Sequence, residues 1–202
     1  MRSFLVGALV AASFCLPIPA AHAQVSDPAA TTIQALNDAL IGIMKSGKSS
    51  GVKGRGAAIA PALDRAYDLP LMTRLSVGSA WTTIAPADQA ALVVAFRRMT
   101  ISQYASNFSS FSGQSFTIDP KVEARGGDKL VRTTLNDPKG SPVAIAYRLR
   151  QSGGGWKIID VFYRNSISRL AIQRSDYAGV LASGGAKALT AHLNALAAKV
   201  GG

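Results

Sequence analysis

Three features of the sequence predict an α+β fold, with helices before and after a block of antiparallel strands. Apolar residues recur at helical spacing through residues 28–110, and the period drops to two through residues 115–164. Helical spacing returns over residues 166–200, split by Gly184-Gly185. Turn formers punctuate the middle block: Gly126-Gly127-Asp128, residues 136–141 with Pro138 and Gly140, and Gly153-Gly154-Gly155.

Taken in order, Asp27 is placed to cap a first helix whose opening position is Pro28. Ile33, Leu36, Leu40, Ile41 and Met44 give that helix one apolar face. Residues 45–56, rich in glycine and lysine, read as a loop. A proline is tolerated in the first turn of a helix, so Pro61 sets the next start near Ala60, with Ile59, Leu63 and Tyr67 on its face. Residues 69–77 form a short helix stopped by Gly78. The longest helix begins around residues 83–88, with Pro86 in its first turn and Asp88 facing the positive end of the dipole. Leu92, Phe96, Met99, Tyr104 and Phe108 make its apolar stripe, and Arg97 and Arg98 fall on the other side.

Strands are expected at residues 116–118, 121–125 and 130–135, with Pro120 separating the first two. Val143, Ile145, Tyr147 and Leu149 then alternate with Ala144, Ala146, Arg148 and Arg150, which marks a strand with one apolar face. Residues 156–163 are β-branched or aromatic at most positions, as a strand covered on both faces requires. Ser166 offers a cap for a helix whose stripe starts with Ile167, Leu170, Ala171 and Tyr177. The two closing helices are expected over residues 167–181 and 186–200.

Residues 1–23 read as a cleaved export signal. Arg2 supplies the positive end, residues 4–16 the apolar core, and Ala21-His22-Ala23 the small-residue cleavage site. That core is too short to span a bilayer, and Phe14 stands where a lipid-anchored cysteine at Cys15 needs a small residue. Residues 24–202 then form one domain, long enough to bury a core without staples. They contain no cysteine and only His192, which leaves no disulfide, no thiolate nucleophile and no histidine cluster for a metal. Charge is uneven: residues 24–120 carry 8 basic and 6 acidic side chains, and residues 121–202 carry 13 and 5. Such a field steers toward anionic lipid surfaces or acidic partners. Nucleic acid is not indicated, because no basic run is interleaved with aromatics.

Three stretches carry a family resemblance. One runs from Trp156 through Asp160 to Arg174-Ser175-Asp176-Tyr177. Another is Tyr67-Asp68-Leu69-Pro70-Leu71-Met72-Thr73-Arg74 with Val77-Gly78 and Trp81, and the third is Tyr104-Ala105 with Phe108. In order and spacing they resemble the MlaC (toluene-tolerance) family of periplasmic lipid-binding proteins, in particular its hopanoid-associated HpnM branch. The resemblance implies a curved antiparallel sheet of the nuclear-transport-factor-2-like type, with helices packed over its concave face and a deep apolar cavity between them. It implies a periplasmic carrier of hopanoid or phospholipid that shuttles its cargo between inner- and outer-membrane transport components. Its partners would be the lipid, a membrane-embedded transporter and, transiently, the membrane surface. The glycine- and lysine-rich stretch at residues 45–56 departs from the family pattern.

Candidate lipid-binding residues are Phe96, Met99, Tyr104, Phe108, Val143, Ile145, Tyr147, Phe162, Leu170, Tyr177 and Leu181. The competing reading is that these side chains form an ordinary core. Tyr104 and Tyr177, each an apolar ring with a polar tip, are set at the cavity mouth. Arg148, Arg150 and Arg164 are set against an anionic headgroup or docking surface. A carrier has a physical rationale: at about 0.8 kcal/mol per buried methylene, a two-chain lipid with roughly thirty methylenes loses over about 20 kcal/mol on entering water.

No catalytic residues, no metal and no cofactor beyond lipid cargo are assigned. Asp160, sunk among Ile158, Ile159, Val161 and Phe162, is the one acid placed for proton transfer, which keeps an isomerase-like enzyme open as an alternative. A buried aspartate is more often paired with an arginine or a backbone amide. Asp64, Asp68 and Asp176 read as partners of the nearby Arg65, Arg74 and Arg174. Glu123, the sole glutamate, has no acidic companion, and Gly153-Gly154-Gly155 opens no helix that would cradle a phosphate. The other alternative is a lipid-free assembly subunit of a membrane transporter.

Overall fold

The computed structural model describes residues 27–164 and 166–201, so the expected export signal lies outside the described residues. Helix α1 (Pro28–Ser46) starts as the sequence predicts, with the Asp27 carboxylate accepting from the Ala29 amide and Pro28 in the first turn. Its buried face holds Ile33, Leu36, Leu40 and Met44, with Ile43 inside and Ile41 only half-buried. Gly47, at φ 68°, ends it.

The next stretch corrects the sequence reading. Residues 48–50 form a short 3₁₀ turn, and α2 (Gly51–Ala66) begins well before Ala60, leaving Pro61 in the helix interior. Tertiary contacts override the local propensity. Arg55 is only 3% exposed; its Nε donates to the Ala105 carbonyl at 2.8 Å and its Nη1 to the Gly47 carbonyl at 2.8 Å. A side chain at Gly56 would meet Ile101 at 3.4 Å, so the helix lies tight against its neighbour. Pro61 is exposed and costs α2 one backbone hydrogen bond.

Helix α3 (Leu69–Val77) is capped by Asp68, whose carboxylate accepts from the Leu71 amide, and Gly78 at φ 72° ends it. A 3₁₀ turn, Gly78–Thr83, leads into α4 (Pro86–Asn107), whose buried residues include Leu92, Phe96 and Met99. The sheet follows: β1 (Ser115–Ile118), β2 (Glu123–Arg125), β3 (Asp128–Asn136), β4 (Val143–Ser152), β5 (Gly155–Tyr163) and β6 (Ile167–Ser168). All strand pairs are antiparallel in the order β1-β3-β4-β5-β6, with β2 also on β3. Gly153 and Gly154, at φ 58° and 82°, make the tight β4–β5 turn.

Register sorts the two faces. Val131, Tyr147 and Val161 lie opposite one another, as do Thr133 and Ile145, and the apolar members pack with the helices into one core. Leu130, Ala146 and Ile159 are buried outside that core cluster. At β5 the register shifts, Arg148 pairing with Asp160 and Leu149 with Ile158, so Ile159 is the extra residue of a bulge. A bulge bends its strand and strengthens the twist, which lets the sheet curve.

Helix α5 (Arg169–Gly201) closes the chain and is broken at Gly185, whose φ is 64°. Its start corrects a second expectation. Ile167 and Ser168 pair with Tyr163 and Phe162 as strand β6, and the Ser168 hydroxyl, not Ser166, accepts from the Ala171 amide at the helix start. Asp160 is the reason. Its Oδ1 accepts from the Val161 amide at 2.8 Å and the Leu170 amide at 3.1 Å, and its Oδ2 accepts from the Ser168 hydroxyl at 2.6 Å. The inward stripe of α5 therefore runs through Gln173 and Tyr177, leaving Ala171 exposed.

Two outcomes test these local arguments. Restoring the missing amide with Pro61→Ala is expected to raise stability by about 1–2 kcal/mol in urea unfolding; a decrease would mean that the proline ring itself stabilises the fold. Asp160→Ala, which strands three donors at one junction, is expected to cost about 2–4 kcal/mol.

Candidate binding interior

The sheet face that meets the helices is apolar, and nine of the eleven candidate residues gather there. Phe96, Met99, Ile145, Tyr147 and Tyr177 are buried in the common core, and Tyr104, Phe108, Val143 and Leu181 pack against it half-buried. Phe162 and Leu170 do not join. Phe162 is paired with Ala146 and Ser168, outside the core cluster, and Leu170 sits at the start of α5 beside Asp160.

A run of rings crosses the interior from helix to sheet. Tyr67, at the end of α2, meets Tyr104 edge to face at 5.9 Å between centroids. Tyr104 stacks on Phe108 at 5.8 Å, and Phe108 reaches Phe116 of β1 at 6.5 Å. Tyr67 is pinned to the sheet by its bridge to Ile158 and by the Asp68 amide donating to the Ile158 carbonyl. The hydroxyls of Tyr67 and Tyr104 hydrogen-bond each other inside the protein, and Tyr177 is 3% exposed, so the two tyrosines expected at the mouth turn inward.

This interior has a polar centre. Burial pushes the Tyr67 and Tyr147 hydroxyls well above the ordinary phenol range and raises Tyr104 and Tyr177 for the same reason. The positive charge of Arg169 pulls Tyr67, Tyr104 and Tyr177 part of the way back. Two amides are buried without full partners: Gln173, 9% exposed, has a free Oε1, and Asn37 of α1, 1% exposed, has neither oxygen nor nitrogen bonded. A group left so costs about 1–3 kcal/mol. Arg169, Gln173, Asn37 and the Tyr67 hydroxyl were not singled out from sequence. The available signal was the spacing of Arg169, Gln173 and Tyr177 at i, i+4 and i+8, one stripe of a helix.

The arginines expected at a headgroup are engaged elsewhere. Arg148 and Arg150 both bind Asp128, whose side chain is 3% exposed, at 2.7 Å and 2.6 Å. Arg125 and Arg132 clamp Glu123 in the same way. Arg164 sits in a turn at φ 51°, with its guanidinium 5.9 Å from the Tyr163 ring centre. Lys129 bridges Asp27 at 2.6 Å and the face of Trp156 at 4.5 Å. Asp64 pairs with Arg97 across two helices, not with its sequence neighbour Arg65, because residues 64 and 65 point to different sides of α2. Asp68 is a helix cap.

Both oxygens of Asp160 accept from donors at the β5–α5 junction, three in all, the arrangement of a structural carboxylate. His192 is half-buried in α5. Among the described residues no three potential metal ligands cluster, and no helix is long and apolar enough to cross a membrane. Two open hollows of about 340 and 370 Å³ lie on helix seams, one along α4 and α5 at Val94 and Thr190, the other along α2 and α4 at Val52 and Ile101. Between sheet and helices, Phe96, Met99, Tyr147 and Leu149 are buried in one apolar cluster.

Asp128 generates a pH prediction. Hydrogen bonds from Arg150 and Arg148 hold its carboxyl below the usual range. Its stabilising contribution is therefore complete above the unfolded value, about 3.9, and is lost as pH falls through the lower folded value. Asp128→Asn is expected to destabilise by about 1–2 kcal/mol near neutrality, and urea midpoints of the variant and the original should converge in acid.

The MlaC protein family profile matches residues 34–195. No curated protein sequence matches the chain significantly. Among solved structures, a phospholipid-binding protein from Ralstonia solanacearum, determined in complex with a phospholipid, superposes with a TM-score of 0.75 at 23% identity, covering 86% of this chain and 98% of that one. At that identity the superposition establishes the fold: antiparallel strands in one open sheet, roofed by helices. With the family profile spanning most of its length, helices and sheet alike, the chain belongs to the MlaC family.

Proposed function

We propose that this protein is a periplasmic lipid carrier, without covalent chemistry of its own, that takes a hopanoid or phospholipid from one membrane-bound transport component and delivers it to another. Family membership supports a lipid cargo, as does the phospholipid-bound Ralstonia structure of the same fold. The observation on this chain that carries the reading is its interior. A core optimised only for stability has no reason to bury the Asn37 amide and the Gln173 Oε1 without partners. An interior that exchanges its own contacts for those of a ligand does.

Loading requires the helices to part from the sheet, and α5 is built to do so. Its N-terminal half buries only Gln173 and Tyr177, whereas Leu189, Leu193 and Ala197 anchor the half beyond Gly185. The Gly185 break lets the first half swing while the second stays on α4. Acyl chains or a fused-ring skeleton then replace contacts among Phe96, Met99, Tyr147 and their neighbours, so the net cost of opening is offset by apolar contact with the cargo. Tyr163 and Ile167, paired across β5 and β6 and both exposed, stand beside Arg164 at this end of α5 and fit a transient contact with an anionic membrane surface.

Native mass spectrometry of the mature chain, purified from cells under mild conditions, is expected to show lipid mass on the folded protein, identified after solvent extraction. Consistent absence of lipid would instead favour a lipid-free assembly subunit.

A further inference from the structure

The glycine- and lysine-rich stretch at residues 45–56 stands beside a hollow that the carrier reading leaves unused. The hollow, about 370 Å³, runs along the seam of α2 and α4, where Val52, Lys53, Ala57, Ile101 and Gly201 help to line it. Each wall has a local cause. Arg55 ties the start of α2 to the end of α4 through the Ala105 carbonyl and to the end of α1 through the Gly47 carbonyl. Gly56 carries no side chain to crowd Ile101, which keeps the floor low. The last turn of α5 closes the remaining side, where a Cβ at Gly201 would lie 3.8 Å from the Ser102 hydroxyl. These walls belong to α2, α4 and the half of α5 anchored by Leu189, Leu193 and Ala197. A partner seated here leaves the first half of α5 free to swing.

Charge says what kind of partner fits. Lys48 and Lys53 are exposed at the start of α2, and Lys199 is exposed in the last turn of α5. Lys45, also exposed, holds its ammonium 5.2 Å from the centre of the Phe111 ring. None of the four enters an ion pair among the described residues. Residues 39–63, 99–118 and 186–202, which build this end, contain no aspartate or glutamate. On the sheet, by contrast, the arginines hold carboxylates of their own chain. Whatever seats in the hollow must bring the missing carboxylates. We propose that this groove docks an acidic amphipathic helix of a protein partner, its aliphatic side chains entering the hollow and its carboxylates meeting the lysine rim. Concavity selects a protein over a bilayer, since a hollow receives inserted side chains whereas a membrane contact needs protruding ones. The lysines steer the encounter, and apolar burial holds it. The site goes beyond the carrier reading and does not depend on it.

The test places the photocrosslinker p-benzoylphenylalanine at the exposed Ala57, irradiates cells that make the protein, and sequences the crosslinked segment by mass spectrometry. Ala124, exposed on β2, is the comparison site. The expected product at Ala57, absent at Ala124, is one protein segment with net negative charge and apolar residues at helical spacing. Synthesised as a peptide, that segment should bind the purified mature chain and weaken as salt rises. Combining Lys48→Glu with Lys53→Glu should weaken it about tenfold, and Ala57→Trp, which fills the hollow, should weaken it with the charges intact. All three positions are exposed, so the variants should fold, which circular dichroism checks, and their lipid load by native mass spectrometry should match the original. A crosslink to lipid makes the face a membrane contact, and a crosslink to a second copy of this chain makes it a self-interface; either overturns the proposal. So does a basic or neutral segment, an equal yield at Ala124, no crosslink, or a peptide that binds the variants as tightly as the original.

Discussion

One carboxylate decides how the two layers of this protein meet. Asp160 stands where β5 leaves its bulge, and its oxygens collect a strand amide, a serine hydroxyl and the second amide of α5. Three donors from three points of the chain leave no freedom in where the helix begins. If α5 started one residue earlier, every side chain on it would rotate by about 100°, and Gln173 and Tyr177 would leave the interior. The charge is tolerated in a largely desolvated place because all its partners donate to it. The residue that looked most like a catalytic base from sequence is thus the one that sets the geometry of the roof.

The two faces of the sheet handle polarity in opposite ways. On the outer face, cations and carboxylates settle each other: Arg148 and Arg150 on Asp128, Arg125 and Arg132 on Glu123. Four of the thirteen basic side chains of residues 121–202 are therefore held in local networks. The interior on the helix side has almost no formal charge, yet it holds two tyrosine hydroxyls bonded to each other, and the protein buries amide groups left without partners. A stable core removes such loose ends, whereas a binding interior keeps them for a ligand. The cost is shared with the backbone: α5 is broken at Gly185, so the half of the helix that carries the polar stripe is the half with fewer buried anchors.

Much of the architecture was legible because it depends on neighbours in sequence. The Asp27-Pro28 start, the Asp68 and Gly78 ends of α3, the Pro86 entry to α4 and the paired glycines of the hairpins all act within a few residues. Alternation along residues 143–150 assigned the inner face correctly, since a period of two survives in any regular strand. The misreadings came where a distant contact prevails. Glycines and lysines at residues 51–56 favour a loop until Arg55 finds the Ala105 carbonyl fifty residues away. Ser166 is as good a cap as Ser168 until Asp160 chooses between them. Phe162 was expected inside, but a bulge at Ile159, three residues earlier and invisible in the pattern, shifts the parity of β5.

What the chain determined by itself is the order and kind of its elements, the apolar identity of the inner sheet face and the family to which these motifs belong. Each of these is written in short-range periodicity and in local backbone preference. Tertiary structure alone decided which charges neutralise one another, which tyrosines share a hydrogen bond and which amides are buried unpaired. Those outcomes depend on side chains brought together from α1, α2, α4, the sheet and α5, whose meeting is fixed by packing and by the Asp160 junction. No window of sequence contains that information, because burial makes a polar group costly only after the fold has taken its water away.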